Sequence, residues 1–146
     1  MANAYYSTVL DAPVDEVWTT VRDFSAYEWA GSEYQAVVED GGRGDAVGSV
    51  RRIGSGEGAM RQRLVELSDV DRSFTYEILP GSPIEVDNYR ACLRVRPVVD
   101  TGQTFVEWSA TFDCAPGDVA QWQRFYAEDR FPTWIGALRE RLGCAV

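Results

Sequence analysis

Six polar side chains fall where strand alternation or helical spacing turns them toward an apolar interior: Arg51, Gln62, Tyr76, Asp87, Tyr89 and Arg130. A carboxylate buried in that setting suits a general base, and Asp87 is the candidate. Tyr89, Tyr76, Gln62 and Arg51 are donors of the kind that hold a carbonyl or a developing enolate oxygen. The combination points to proton abstraction beside a carbonyl, with Asp87, Tyr89 and Arg51 as the catalytic set. The chain has no histidine, which removes Ser-His and Cys-His catalysis and His-ligated metals. Its three cysteines, Cys92, Cys114 and Cys144, are too widely spaced for a zinc site or a disulfide framework. The expectation is therefore chemistry without a metal or a cofactor. A simpler use stands beside it: Arg51, Gln62 and Tyr76 satisfy one another inside a core, and Arg130 snorkels outward.

These residues need a frame. Ala4 to Leu10 alternates as a first strand, and Asp11-Ala12-Pro13 turns it into a helix whose inner face is Val14, Val17, Trp18 and Val21. A short helix or turn follows, ending near Trp29-Ala30-Gly31. Six strands are then predicted, at Tyr34–Glu39, Gly48–Ile53, Ala59–Leu67, Ser73–Leu79, Glu85–Val99 and Gln103–Cys114. Turn signals separate them, among them Gly-Ser-Gly-Glu-Gly and Pro-Gly-Ser-Pro. From Gly117 to Leu142 the period becomes helical, with Val119, Trp122, Tyr126, Trp134, Leu138 and Leu142 on one stripe. At 1.5 Å per residue this helix would run roughly 39 Å, with Asp118 and Gln121 as a capping box and Gly143 as the stop. Arg130 lies on the stripe, and Pro132 predicts a kink near 128–132. The resulting order, β-αα-ββββββ-α, is an α+β fold: one curved antiparallel sheet gripping the last helix in a single domain, 1–146.

Alternation then sorts the faces. Val47, Ser49, Arg51 and Ile53 share one face, as do Met60, Gln62 and Leu64 in the next strand. Phe74, Tyr76 and Ile78 point inward, and so do Asp87, Tyr89, Ala91, Leu93 and Val95. Val106, Trp108, Ala110 and Phe112 complete the inner set, while Leu64-Val65 breaks the alternation as a bulge does. The expected binding residues are Met60, Gln62, Tyr76, Ala91, Trp108, Tyr126, Arg130 and Trp134, with Trp29.

Composition excludes several partners. The net charge of −9 has no basic run to relieve it, so nucleic acid and anionic membrane surfaces are poor partners. No secretory signal and no membrane-spanning apolar run is legible, so a cytoplasmic monomer or homodimer is expected. Five Trp, seven Tyr and six Phe are generous for 146 residues and suit a pocket as well as a core.

The opening V-L-D-A-P-V-D-E-V-W-x-x-V-R-D-F resembles that of the START-like, Bet v 1-like (SRPBCC) superfamily. So do Val47-Gly48-Ser49-Val50-Arg51, Gln62-Arg63-Leu64, Asp87-Asn88-Tyr89 and Val106-Glu107-Trp108-Ser109. The likeness is greatest to bacterial polyketide cyclase/dehydrase-like proteins and related plant hormone receptors. It implies a helix-grip fold of seven strands around the C-terminal helix, with a deep cavity that takes sterols, lipids, hormones or polyketides. Some such proteins catalyse cyclisation or dehydration. The chain departs from the family at Gln62, where a glutamate often stands, so a charged acceptor becomes neutral. The reading is a hydrophobic small-molecule site, acting as a polyketide-type cyclase or dehydratase on a natural-product intermediate. The alternative is a non-catalytic carrier or sensor of a lipid- or hormone-like ligand.

Overall fold

The computed structural model describes residues 1–54 and 58–144. Seven antiparallel strands form one sheet in the order β1-β7-β6-β5-β4-β3-β2. β1 is Ala2–Leu10, β2 Ala36–Val38, β3 Val50–Ile53, β4 Met60–Ser68, β5 Ser73–Ile78, β6 Asp87–Val98 and β7 Gln103–Asp113. Helix α1, Val14–Val21, follows β1, and a 3₁₀ turn at Glu28–Ala30 follows α1. Thr104 of β7 pins the β1–α1 corner, its buried hydroxyl donating to the Ala12 carbonyl at 2.7 Å. The inner faces are those that alternation predicts across most of the sheet: Tyr76, Ala91, Leu93, Val106, Trp108 and Phe112 are all buried.

Three local departures matter for the site. β3 starts at Val50 rather than Gly48, because Gly48 turns the chain at φ +96, and this leaves Val47 exposed. β4 carries the expected bulge between Leu64 and Glu66. β6 carries one that alternation missed, between Asp87 and Arg90, where Asn88 takes the left-handed conformation at φ 52. The Gly-Ser-Gly-Glu-Gly turn centres on 55–57, outside the described residues.

The C-terminal helix is three segments on one axis: α2 (Val119–Arg124), a π-helical turn at Phe125–Arg130, and α3 (Phe131–Arg141). The predicted kink is this turn, and it has a physical cause. A π turn inserts one residue and places Pro132 in the first turn of α3, where the missing N–H costs nothing. It also shifts the frame, so the buried stripe is Tyr126, Phe131, Ile135 and Leu138. Phe131 occupies the inward position that a continuous 3.6 period gives to Arg130. The helix ends as expected, with Gly143 at φ 70 and the Gly143 and Cys144 amides donating to the Glu140 and Arg139 carbonyls. Its start differs: Asp118 makes no side-chain cap, because its backbone is already helical and a 3₁₀ turn, Pro116–Asp118, precedes it.

Candidate functional site

Between the sheet and the π turn lies a cavity of about 230 Å³. β4 contributes Met60 and Gln62, β5 Tyr76 and Ile78, β6 Tyr89, and the helix Phe125, Tyr126, Arg130 and Trp134. Ile53 of β3, Tyr27 and Tyr34 from the irregular segment between α1 and β2, and Pro83, Ile84 and Glu85 from the β5–β6 loop complete it. Tyr76, Tyr89 and Tyr126 form a continuous aromatic wall, with ring centroids 6.2 and 5.2 Å apart. Two hydrogen bonds tie the helix to the loops. The Trp134 indole N–H donates to the Tyr34 hydroxyl at 2.9 Å, and the Tyr126 hydroxyl donates to a Glu85 carboxylate oxygen at 3.2 Å.

The polar groups are few. Gln62 is buried, and its Oε1 accepts the Arg51 Nε–H at 2.8 Å. Nε can only donate, so the amide is fixed in this sense and its NH₂ remains a donor. Arg51 is 1% exposed and does not line the cavity; it stands one side chain behind the wall. Its guanidinium lies 3.9 Å from the Phe24 ring centroid and 4.0 Å from that of Tyr27. A weaker bond runs from Nη1 to the Phe24 carbonyl at 3.4 Å, and Nη2 has no partner among the described residues. Burial pushes the Arg51 pKa down to about 10, so at neutral pH it remains a cation. The Tyr89 hydroxyl is buried and makes no well-aligned hydrogen bond among the described residues, although the Tyr76 side chain is close enough to act on it. Burial raises the pKa of Tyr89, Tyr27 and Tyr76, so these phenols are neutral donors.

Of the residues expected from alternation and spacing, Met60, Gln62, Tyr76, Tyr89, Tyr126, Arg130 and Trp134 meet at the cavity. Arg130 reaches it from the π turn, with its Nη2 on Asp129 at 3.2 Å and its Nε buried without a partner among the described residues. The others lie elsewhere. Asp87 is exposed: the β6 bulge pairs it with Asp113 on the outer face, so it does not reach the space where a base would act. Trp108 and Trp29 belong to the packed core, Trp108 stacking on Phe131 at 5.0 Å and Trp29 lying 6.0 Å from Trp108. Ala91 is buried in the sheet opposite Tyr76 and Ala110. Tyr27, Tyr34 and Glu85 escaped the sequence reading: Tyr27 sits in a segment with no period, and Tyr34 and Glu85, read as the first residues of strands, stand in the loops before β2 and β6. The one signal was the aromatic density of the stretch from Phe24 to Tyr34.

A curved antiparallel sheet closed by a C-terminal helix over an apolar, polar-studded cavity defines a helix-grip protein. The family described as "Polyketide cyclase / dehydrase and lipid transport" matches residues 1–142, and the chain belongs to this SRPBCC family. Solved structures agree. A solution structure from Thermobifida fusca is 32% identical, with a TM-score of 0.85, over 98% of this chain and 94% of that one. A protein from Nitrosospira multiformis is 27% identical, with a TM-score of 0.75, over 96% and 95%. XoxI from Bacillus cereus, at 22% identity and a TM-score of 0.80 over 97% and 96%, shares the fold. Among the described residues no helix is long and apolar enough to cross a membrane.

Proposed function

We propose that this chain binds a compact, mainly apolar ring compound carrying an oxygen acceptor, in the cavity between sheet and C-terminal helix. The observation that carries the reading is the buried Tyr89 hydroxyl, which has no partner among the described residues. A buried donor left unmade costs about 1–3 kcal/mol, and a ligand oxygen would recover it. The Gln62 amide, oriented by Arg51, supplies a second donor in the same wall. The volume of about 230 Å³ lies below the roughly 300–1,000 Å³ of drug-sized sites, which favours one or two rings over a sterol or a multi-ring polyketide. Family membership supports a hydrophobic ligand, and the net charge of −9 favours a small molecule over nucleic acid. The same features suit a cytoplasmic carrier or sensor acting as one ligand-binding unit.

A catalytic reading has one observation in its favour, the Glu85–Tyr126 pair at 3.2 Å. With Asp87 outside, Glu85 is the carboxylate lining the cavity among the described residues. It would accept a proton beside a carbonyl whose oxygen Tyr89 and Gln62 hold as enolate charge builds, the first step of a ring closure or dehydration. Calorimetric titration with 1-tetralone and its oxygen-free analogue tetralin tests the site. Tighter binding of the ketone, with the difference lost in Tyr89→Phe, supports it; equal binding of the two, or none, overturns it. Proton NMR of 1-tetralone in D₂O then separates the readings. Protein-dependent exchange at the carbon beside the carbonyl favours catalysis, and binding without exchange favours a carrier or sensor.

A further inference from the structure

A buried cation normally faces a carboxylate, because removing an unpaired charge from water costs several kcal/mol. Arg51 has none among the described residues: its partners are an amide oxygen, a backbone carbonyl and three aromatic faces. Three of the four side chains against its charge, Gln62, Tyr27 and Tyr76, are also cavity wall; the fourth, Phe24, is core. The cavity therefore has a fixed positive charge directly behind its lining, while the lining itself is aromatic and of low polarity. At the position that receives the Arg51 Nε–H, a glutamate would neutralise this charge; glutamine leaves it standing.

We propose, resting on the binding reading above, that the cavity selects its ligand as an anion: a small ring compound ionised at a phenol, enol or carboxyl group. The anion seats against the Gln62 NH₂ and the Tyr89 hydroxyl and supplies the counter-charge that Arg51 lacks. Among the described residues no group fills that role. Tyr27, Tyr76 and Tyr89 are held neutral by burial. Tyr126, on the helix, is likewise pushed up, first by burial and then by Glu85. Of the remaining charged groups facing the cavity, Glu85 in the β5–β6 loop is exposed to water and already accepts the Tyr126 hydroxyl. Arg130 on the π turn is paired with Asp129 and adds positive charge at the wall. Tyr34 is engaged as the acceptor of the Trp134 N–H. Arg51 is thus the buried charge at the cavity left without a carboxylate among the described residues, although the chain as a whole is strongly acidic.

The test uses 4-nitrophenol, whose phenolate has its own visible absorbance, with nitrobenzene as the neutral shape control. On the intact protein, bound 4-nitrophenol is expected to ionise at a pH about 1–3 units below its value in water, as for an acid beside an opposite charge. Its affinity should accordingly rise as pH increases through that range, while nitrobenzene binding stays level. Gln62→Glu gives Arg51 a carboxylate partner without removing the hydrogen bond, so the fold is retained. In that variant the bound phenol should ionise at or above its solution value, with the circular dichroism of the wild type retained. Nitrobenzene binding with no downward shift of 4-nitrophenol in the wild type overturns anion selection and leaves the binding reading intact. Failure of both probes to bind overturns both. A shift that survives Gln62→Glu but disappears in Arg130→Gln assigns the effect to the wrong arginine and also overturns the proposal.

Discussion

Tyr89 concentrates the argument in one oxygen. Its ring packs 6.2 Å from Tyr76 and 5.2 Å from Tyr126, so the aromatic contacts hold the side chain without help from the hydroxyl. Tyr89→Phe therefore removes a buried donor that makes no well-aligned hydrogen bond among the described residues, its Tyr76 neighbour being poorly placed to accept one. Stability should stay level or rise by up to about 1–3 kcal/mol, the penalty of an unmade buried bond. Affinity for 1-tetralone should fall in the same variant. Urea unfolding alongside calorimetry checks the pair of outcomes, and a large loss of stability would place the hydroxyl in a structural network instead. Ala91 is the reverse case. Closed in among sheet neighbours, it leaves no room for Ala91→Trp, which should lose stability and binding together.

The π turn decides what the helix shows to the cavity. Because it adds one residue, the buried positions run Tyr126, Phe131, Ile135, Leu138. Deleting Glu128, an exposed residue of the turn, together with Pro132→Ala, should restore ordinary helical bonding and keep those four on one face. The fold should survive while 1-tetralone binding weakens, since Phe125, Tyr126 and Arg130 line the cavity from this turn. Deleting Thr133 instead rotates Ile135 and Leu138 by about 100° off the core and should unfold the protein. Denaturant unfolding of the two variants distinguishes these outcomes. The same turn shows why the sequence was legible only in part. Strand alternation located Gln62, Tyr76 and Tyr89 because a period of two continues across most of the sheet. It misplaced Asp87, because one left-handed residue, Asn88, resets the period and carries no apolar signature. Pro132 announced a break in the helix but not its kind. Tyr27 lies where there is no period to read, Tyr34 and Glu85 lie just ahead of the strands that alternation assigned them to, and only the closure of the chain in three dimensions brings them to the wall.

Buried titratable groups give the whole molecule a characteristic response to alkali. Tyr27, Tyr76, Tyr89 and Tyr126 all have folded pKa values above the ordinary phenol value, chiefly from burial. A group raised in this way contributes stability that is complete below the unfolded value of about 10 and is lost as pH rises further. Arg51 acts in the opposite sense. Its folded value is lowered, so burying its charge costs stability at neutral pH and that cost fades above about 10. Four phenols against one guanidinium leave the balance with the phenols. The expected outcome is a cooperative alkaline unfolding above about pH 10, in which tyrosinate absorbance from these residues appears together with the loss of secondary structure. Gradual tyrosinate formation with the circular dichroism unchanged would show that the aromatic wall is open to water.

The tryptophans have an optical consequence. Trp29 and Trp108 lie 6.0 Å apart, and Trp108 and Trp134 5.0 Å, forming a relay that runs from the core to the cavity wall. At such separations an excited indole passes its energy to its neighbour faster than it emits. Trp134 is the one tryptophan that lines the cavity, and its N–H is already engaged by Tyr34. A nitroaromatic guest touching that single ring should therefore darken the emission of three residues, and the chain carries its own amplified reporter of occupancy.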